Sequence, residues 1–102
     1  MIDLKQLQKR IYQNKVNKGF NITDIYMELC YTHGELNEVF EAYRDKKNDL
    51  GAELADVAIY LLGIAEILGI DLGKEILSKI EINEKREFIR ENGVLIKKHD
   101  GK

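Results

Sequence analysis

The chain has 102 residues, of which 33% are charged and 44% hydrophobic, with a formal net charge of -2 and no proline or tryptophan. That length predicts one domain with a modest core. Both signs of charge are interspersed without a like-charged block, which excludes a basic nucleic-acid-binding surface and a low-complexity linker. Cys30, the one cysteine, cannot close an internal disulfide and is expected to pack. The opening Met1-Ile2-Asp3-Leu4-Lys5 lacks an apolar leader segment. The longest apolar run, residues 57–65, falls far short of the roughly 20 residues that span a bilayer. These features predict a cytoplasmic protein with no membrane partner.

A first helix is expected over about residues 3–18. Leu4, Leu7 and Ile11 recur at helical spacing, Asp3 is placed to cap its start, and Gly19 suits the left-handed position that ends a helix. After the connector Phe20-Asn21-Ile22, Thr23 or Asp24 caps a second helix over about 24–46. Its apolar stripe is Ile25, Leu29, Leu36, Val39, Phe40 and Tyr43. Glu28, Thr32, Glu35 and Glu38 lie beside that stripe.

A polar break at 45–49 leads to a third helix over about 50–68, ended by Gly69. Its middle is apolar almost all round, so it needs neighbours on every side. That points to a homo-oligomer with this helix at the interface. Asp71 is placed to cap a fourth helix reaching about residue 92, with Gly93 as its stop. The tail, 94–102, is expected to start extended and to fray at its end. The fold class predicted is all-α, a four-helix bundle in a single domain over 1–102.

Two pairs of acids stand out. Glu35 and Glu38 are three apart on the second helix, and Glu53 and Asp56 are three apart on the third. Residues at that spacing share a helix face. Four carboxylates converging beside an apolar core repel one another unless a cation lies between them. An all-oxygen ligand set favours Mg²⁺ or Mn²⁺ over zinc or copper. The ordinary alternative is four solvated surface acids. Position argues against it, because Asp56 lies between Ala55 and Val57 and no Lys or Arg occurs between Glu53 and Lys74.

Lys79, Asn83 and Arg86 form a second set, spaced to share one face of the fourth helix. Two cations and an amide there suit phosphate oxygens. Spacing alone favours a solvated stripe with ion pairs such as Glu75–Lys79. No zinc-type His/Cys set, no Glu-x-x-His pair, no glycine-rich phosphate loop and no nucleophile–base pair occurs. Chemistry here would have to be metal-assisted.

With these residues in view, the chain resembles the MazG-like members of the all-α nucleoside triphosphate pyrophosphohydrolase superfamily. The matching text is Gly34-Glu35-Leu36-Asn37-Glu38, then the stretch from Gly51 through Glu53 and Asp56 to Leu61, then Gly69-Ile70-Asp71-Leu72, and finally Lys79 through Asn83 to Arg86. The resemblance implies Mg²⁺-dependent cleavage of nucleoside triphosphates to monophosphate and pyrophosphate. It implies Glu35, Glu38, Glu53 and Asp56 as metal ligands. Lys79, Asn83 and Arg86 would face the triphosphate, with Lys79 and Arg86 offsetting charge on the leaving diphosphate and Glu38 accepting a proton. Phe20, Tyr12 and Tyr26 are candidates for a slot that holds the base. The apolar third helix makes a homodimer or homotetramer the expected assembly.

One departure matters. Where many relatives carry an earlier Glu, three residues before Glu35, this chain has Thr32. Either Glu35 and Glu38 suffice, or Glu28 reaches in as an auxiliary. Two alternatives therefore stand beside the leading expectation: a non-catalytic helical module that dimerises or binds a nucleotide, and a related pyrophosphatase acting on a phosphoribosyl nucleotide.

Overall fold

A computed structural model describes residues 1–98. The expected fraying at the end of the tail falls on 99–102, outside the described residues. The chain divides into two compact units, Met1–Leu72 and Gly73–Lys102.

The first unit contains three helices, α1 (Leu4–Lys18), α2 (Ile25–Arg44) and α3 (Leu50–Leu68). Both α1 and α2 pack on α3. Its central place follows from its sequence, since the most apolar helix needs the most cover. Local chemistry sets the ends. Asp3 accepts hydrogen bonds from the backbone N–H groups of Lys5 and Gln6 at 3.0 and 3.3 Å, and Asp24 accepts from Met27 N–H at 3.1 Å. These carboxylates satisfy donors that a helix start leaves unpaired. Gly19 and Gly69 end α1 and α3 in the left-handed conformation, at φ 71° and 72°.

The fully enclosed apolar core is small: Ala42, Leu62, Ile64 and Ala65. Two polar side chains are buried with it, Gln8 and Glu28, each 1% exposed. Gln8 ties α1 to the far end of α3. Its amide donates to Glu66 Oε1 at 3.0 Å and to the Ile70 carbonyl at 2.9 Å, while its Oε1 accepts from Leu72 N–H at 2.9 Å. Much of the expected apolar stripe of α2 stays uncovered on the single chain: Leu29, Leu36, Phe40 and Tyr43 are exposed, as are Leu54, Ile59 and Leu61 of α3. Cys30 is exposed too, contrary to the expectation that it packs. It lies on α2 where its own chain provides no cover.

The second unit corrects the expected fourth helix. Helix α4 (Leu72–Lys85) stops seven residues early, and β1 (Phe88–Glu91) pairs antiparallel with β2 (Val94–Lys97). The physical reason is Asn92-Gly93. Both residues have positive φ, 51° and 78°, the conformation that a tight hairpin turn demands and that Asn-Gly supplies most readily. Gly93 is therefore a turn residue, not a helix stop. The register places Ile89 opposite Ile96 and Phe88 opposite Lys97. The chain is mostly helical, as expected, with this one hairpin added. Among the described residues no helix is long and apolar enough to cross a membrane.

Candidate metal centre and adjoining pocket

Glu35, on α2, and Glu53 and Asp56, on α3, offer carboxylate oxygens that all lie within 4.8 Å of one another. The i,i+3 spacing puts the α3 pair on one side of that helix, and the packing of α2 on α3 brings Glu35 to meet them. Glu35 and Glu53 are half-buried. Among the described residues no Lys or Arg forms an ion pair with any of the three. The cost of this crowding shows at Glu53. Its carboxyl is held above the ordinary carboxylate range, first by partial burial and then by the charges of Asp49, Asp56, Glu38 and Glu35. Three oxygen donors without a protein counter-ion fit a hard divalent cation.

Glu38 is exposed and lies outside this triad, although its charge is felt at Glu53. Glu28 does not reach the triad either. Its two carboxylate oxygens face α1 and the α1–α2 connector: Lys15 Nζ donates to Oε1 at 2.6 Å and Asn21 Nδ2 to Oε2 at 2.9 Å. Thr32 turns its hydroxyl back to the Glu28 carbonyl at 2.8 Å. Position 32 therefore supplies a helix-internal hydrogen bond and no carboxylate. Lys79 and Asn83 lie on α4, exposed; Arg86 lies one residue beyond its end, where its N–H donates to the Asn83 carbonyl at 3.2 Å. The expected three-residue helical stripe is thus two residues on the helix and one past it.

Sequence reasoning does not reach the pocket beside the triad. A cavity of about 600 Å³ opens between α1, α2 and α3. Its apolar walls include Ile11, Phe20, Ile59, Tyr60 and Leu62, and its polar lining is Arg10, Asn14, Lys15 and Glu28. Of the three aromatics expected to form a base slot, Phe20 lines it; Tyr12 and Tyr26 do not. Lys15 Nζ also stands 5.8 Å from the centre of the Tyr60 ring, and that ring meets Tyr31 edge-on with centroids 6.2 Å apart. The Tyr60 phenol is raised above its ordinary range, by burial first and then by the charges of Glu35 and Glu28, the nearby Tyr31 and the charge of Asp56. Tyr60 thus belongs to the pocket wall and feels the acids as well. The signal available in the sequence was Tyr60 itself, four residues after Asp56 on the same helix.

No protein-family model matches this chain, and neither does any curated protein or solved structure.

Proposed function

We propose that the protein is a metal-dependent nucleotide pyrophosphohydrolase, cleaving nucleoside triphosphates to monophosphate and pyrophosphate. The observation that carries the proposal is the convergence of Glu35, Glu53 and Asp56, from two helices, with no Lys or Arg ion-paired to them among the described residues. The MazG-like resemblance is consistent with it. These three residues would hold Mg²⁺ or Mn²⁺, which when bound offsets charge on phosphate oxygens and makes a water more acidic. Water adds at the α-phosphorus, the bond to the bridging oxygen breaks, and pyrophosphate leaves. Glu38, outside the triad but with its charge felt at Glu53, would accept the proton from the attacking water. Lys79, Asn83 and Arg86 are proposed for phosphate binding from their sequence pattern alone.

The uncovered apolar residues of α2 and α3 favour a homodimer or homotetramer as the working form, because a partner copy would cover them. A second reading has its own support. With Thr32 bonded to its own helix, α2 gives the triad one carboxylate, not two, and a binding-only relative would need no more.

The test is pyrophosphate release from ordinary, deoxy and oxidised nucleoside triphosphates with Mg²⁺, with Mn²⁺ and with chelator. Metal-dependent release is expected. Asp56→Ala should lower it by at least about a thousandfold while the helical circular dichroism persists. Undiminished turnover in that variant would remove the metal assignment. Nucleotide binding without release from any substrate would select the second reading.

A further inference from the structure

We propose that the outer edge of β2 docks onto the same strand of a second copy of this chain, so that two hairpins join across a two-fold axis into one antiparallel sheet. The inference does not depend on the nucleotide reading, and it uses residues other than the apolar ones of α2 and α3.

The second unit is not held by a core of its own. Among the described residues from α4 onward none is enclosed, and Ile76, Ile80, Phe88, Ile89, Leu95 and Ile96 are all exposed. A unit this short falls below the roughly 40 residues at which a domain stands alone. An isolated two-stranded hairpin is itself marginal in water.

Backbone geometry names the free edge. Lys98 N–H donates to the Glu87 carbonyl at 2.6 Å, and the register pairs Ile89 with Ile96 and Glu91 with Val94. Bonded residues alternate along an antiparallel ladder. Val94, Ile96 and Lys98 therefore turn their N–H and C=O groups to β1, and Leu95 and Lys97 turn theirs outward. By the same alternation Phe88 and Arg90 point outward from β1. The two edges differ in their side chains. Strand β1 carries Arg90 and Glu91, charges of the kind that guard an edge, whereas β2 is apolar from Val94 to Ile96, with Lys97 at its end.

A second copy fits the β2 edge because that edge complements itself. A two-fold axis normal to the sheet at Ile96 sets Leu95 opposite the partner's Lys97, and Lys97 opposite the partner's Leu95. Each of those pairs exchanges N–H and C=O bonds, and no outward group of Leu95 or Lys97 is left over. Ile96 meets the partner's Ile96 in the closer, non-hydrogen-bonded position. Ile89 already lies opposite Ile96, so a row of isoleucines runs unbroken across the joined sheet, and cross-strand contacts of this kind stabilise sheets. A strand of arbitrary sequence would meet the backbone groups without that row.

Leu95→Pro is the decisive variant, because it deletes an outward N–H and none that β1 uses. Arg90→Pro does the same on the guarded edge and serves as the control. Sedimentation equilibrium of the full chain should show an assembly whose mass halves, or whose dissociation constant rises at least tenfold, in Leu95→Pro and is unchanged in Arg90→Pro. In a Cys30→Ser background, Ile96→Cys should form a disulfide between copies under mild oxidation, since a non-hydrogen-bonded pair holds its Cα atoms about 4.5 Å apart. Leu95→Cys should not, because the axis leaves the two 95 positions about 8 Å apart. The cross-link decides the matter should Leu95→Pro unfold the hairpin. A parent that stays a single chain at millimolar concentration would overturn the proposal. So would a mass unchanged by Leu95→Pro with no cross-link at 96, a cross-link at 95 in place of 96, or loss of assembly in Arg90→Pro instead. Open-ended fibres would also overturn it, because a two-fold pairing closes on itself.

Discussion

Gln8 offers the sharpest test of how the α1–α3 frame is held. Its side chain makes three hydrogen bonds to the end of α3 and the residues after it, and it is 1% exposed. Replacing it with leucine keeps most of the volume and removes every partner. The Glu66 carboxylate is half-buried and can be re-solvated, so its loss counts least. The Ile70 carbonyl and the Leu72 N–H lose their partner under a residue that excludes water. At about 1 kcal/mol for each bond, plus part of the desolvation penalty for an orphaned group, Gln8→Leu should destabilise by about 2–4 kcal/mol. For a domain of this size that lowers the thermal midpoint by about 10–20 °C. Circular dichroism melts measure it directly. Gln8→Glu provides the control. The introduced carboxylate keeps an acceptor for Leu72 N–H but faces Glu66 and the Ile70 carbonyl with no donor. That variant should be strongly destabilised at neutral pH and recover as acid protonates the new side chain. A Gln8→Leu midpoint within about 2 °C of the parent would refute the reasoning, because it would show water or another group meeting both backbone atoms at negligible cost.

The raised Glu53 carboxyl sets a pH dependence. The folded state holds that proton more tightly than the unfolded chain does. Metal-free stability should therefore fall as pH rises from the ordinary carboxylate range through the raised folded value, and Mg²⁺ should reverse the loss at neutral pH. Urea midpoints across that range, with and without the ion, read both effects; a metal-free midpoint that rises through the window would contradict the crowding. At Gly63 a new Cβ would meet Ile11 Cγ2 at 3.4 Å and Lys15 Cδ at 3.9 Å, ordinary contact distances. Gly63→Ala should therefore gain up to about 1 kcal/mol of helix propensity, and a lower melting midpoint would mean that Ile11 cannot yield. Gly93→Ala forces a side chain into φ 78°, at roughly 1–2 kcal/mol. Hydrogen exchange should quicken across residues 88–97 and leave α1–α3 unchanged.

Helices α1, α2 and α3 were legible because their apolar spacing agrees with the Asp caps that open α1 and α2 and with the glycines that end α1 and α3. The end of α4 was not. Phe88 and Ile89 fit a helical stripe as well as a strand, and Gly93 serves equally as a helix stop. The Asn-Gly pair was the deciding signal, since two consecutive positive φ angles make a hairpin and not a cap. Spacing also placed Glu53 and Asp56 on one side of α3. It could not say which α2 carboxylate meets them, because that depends on how two helices rotate against each other. Glu35 turns inward and Glu38 does not complete the cluster. The Lys15–Glu28 contact joins residues on different helices, and no local pattern announces it.

That contact constrains the routes by which this sequence can drift. Asn21 accepts through Oδ1 from the N–H groups of Thr23 and Asp24, at 3.3 and 3.0 Å, and so must present its NH₂ to α2. A carboxylate at 28 welcomes that NH₂; an ammonium there would collide with it. Exchanging the two charges is therefore not an equivalent solution, although it preserves the pair. Descendants of this chain have only narrow passages open to them. They can keep Lys15, Asn21 and Glu28 as a linked trio, or replace the two charges together by apolar residues. A lineage that changed one charge at a time would cross a valley in between.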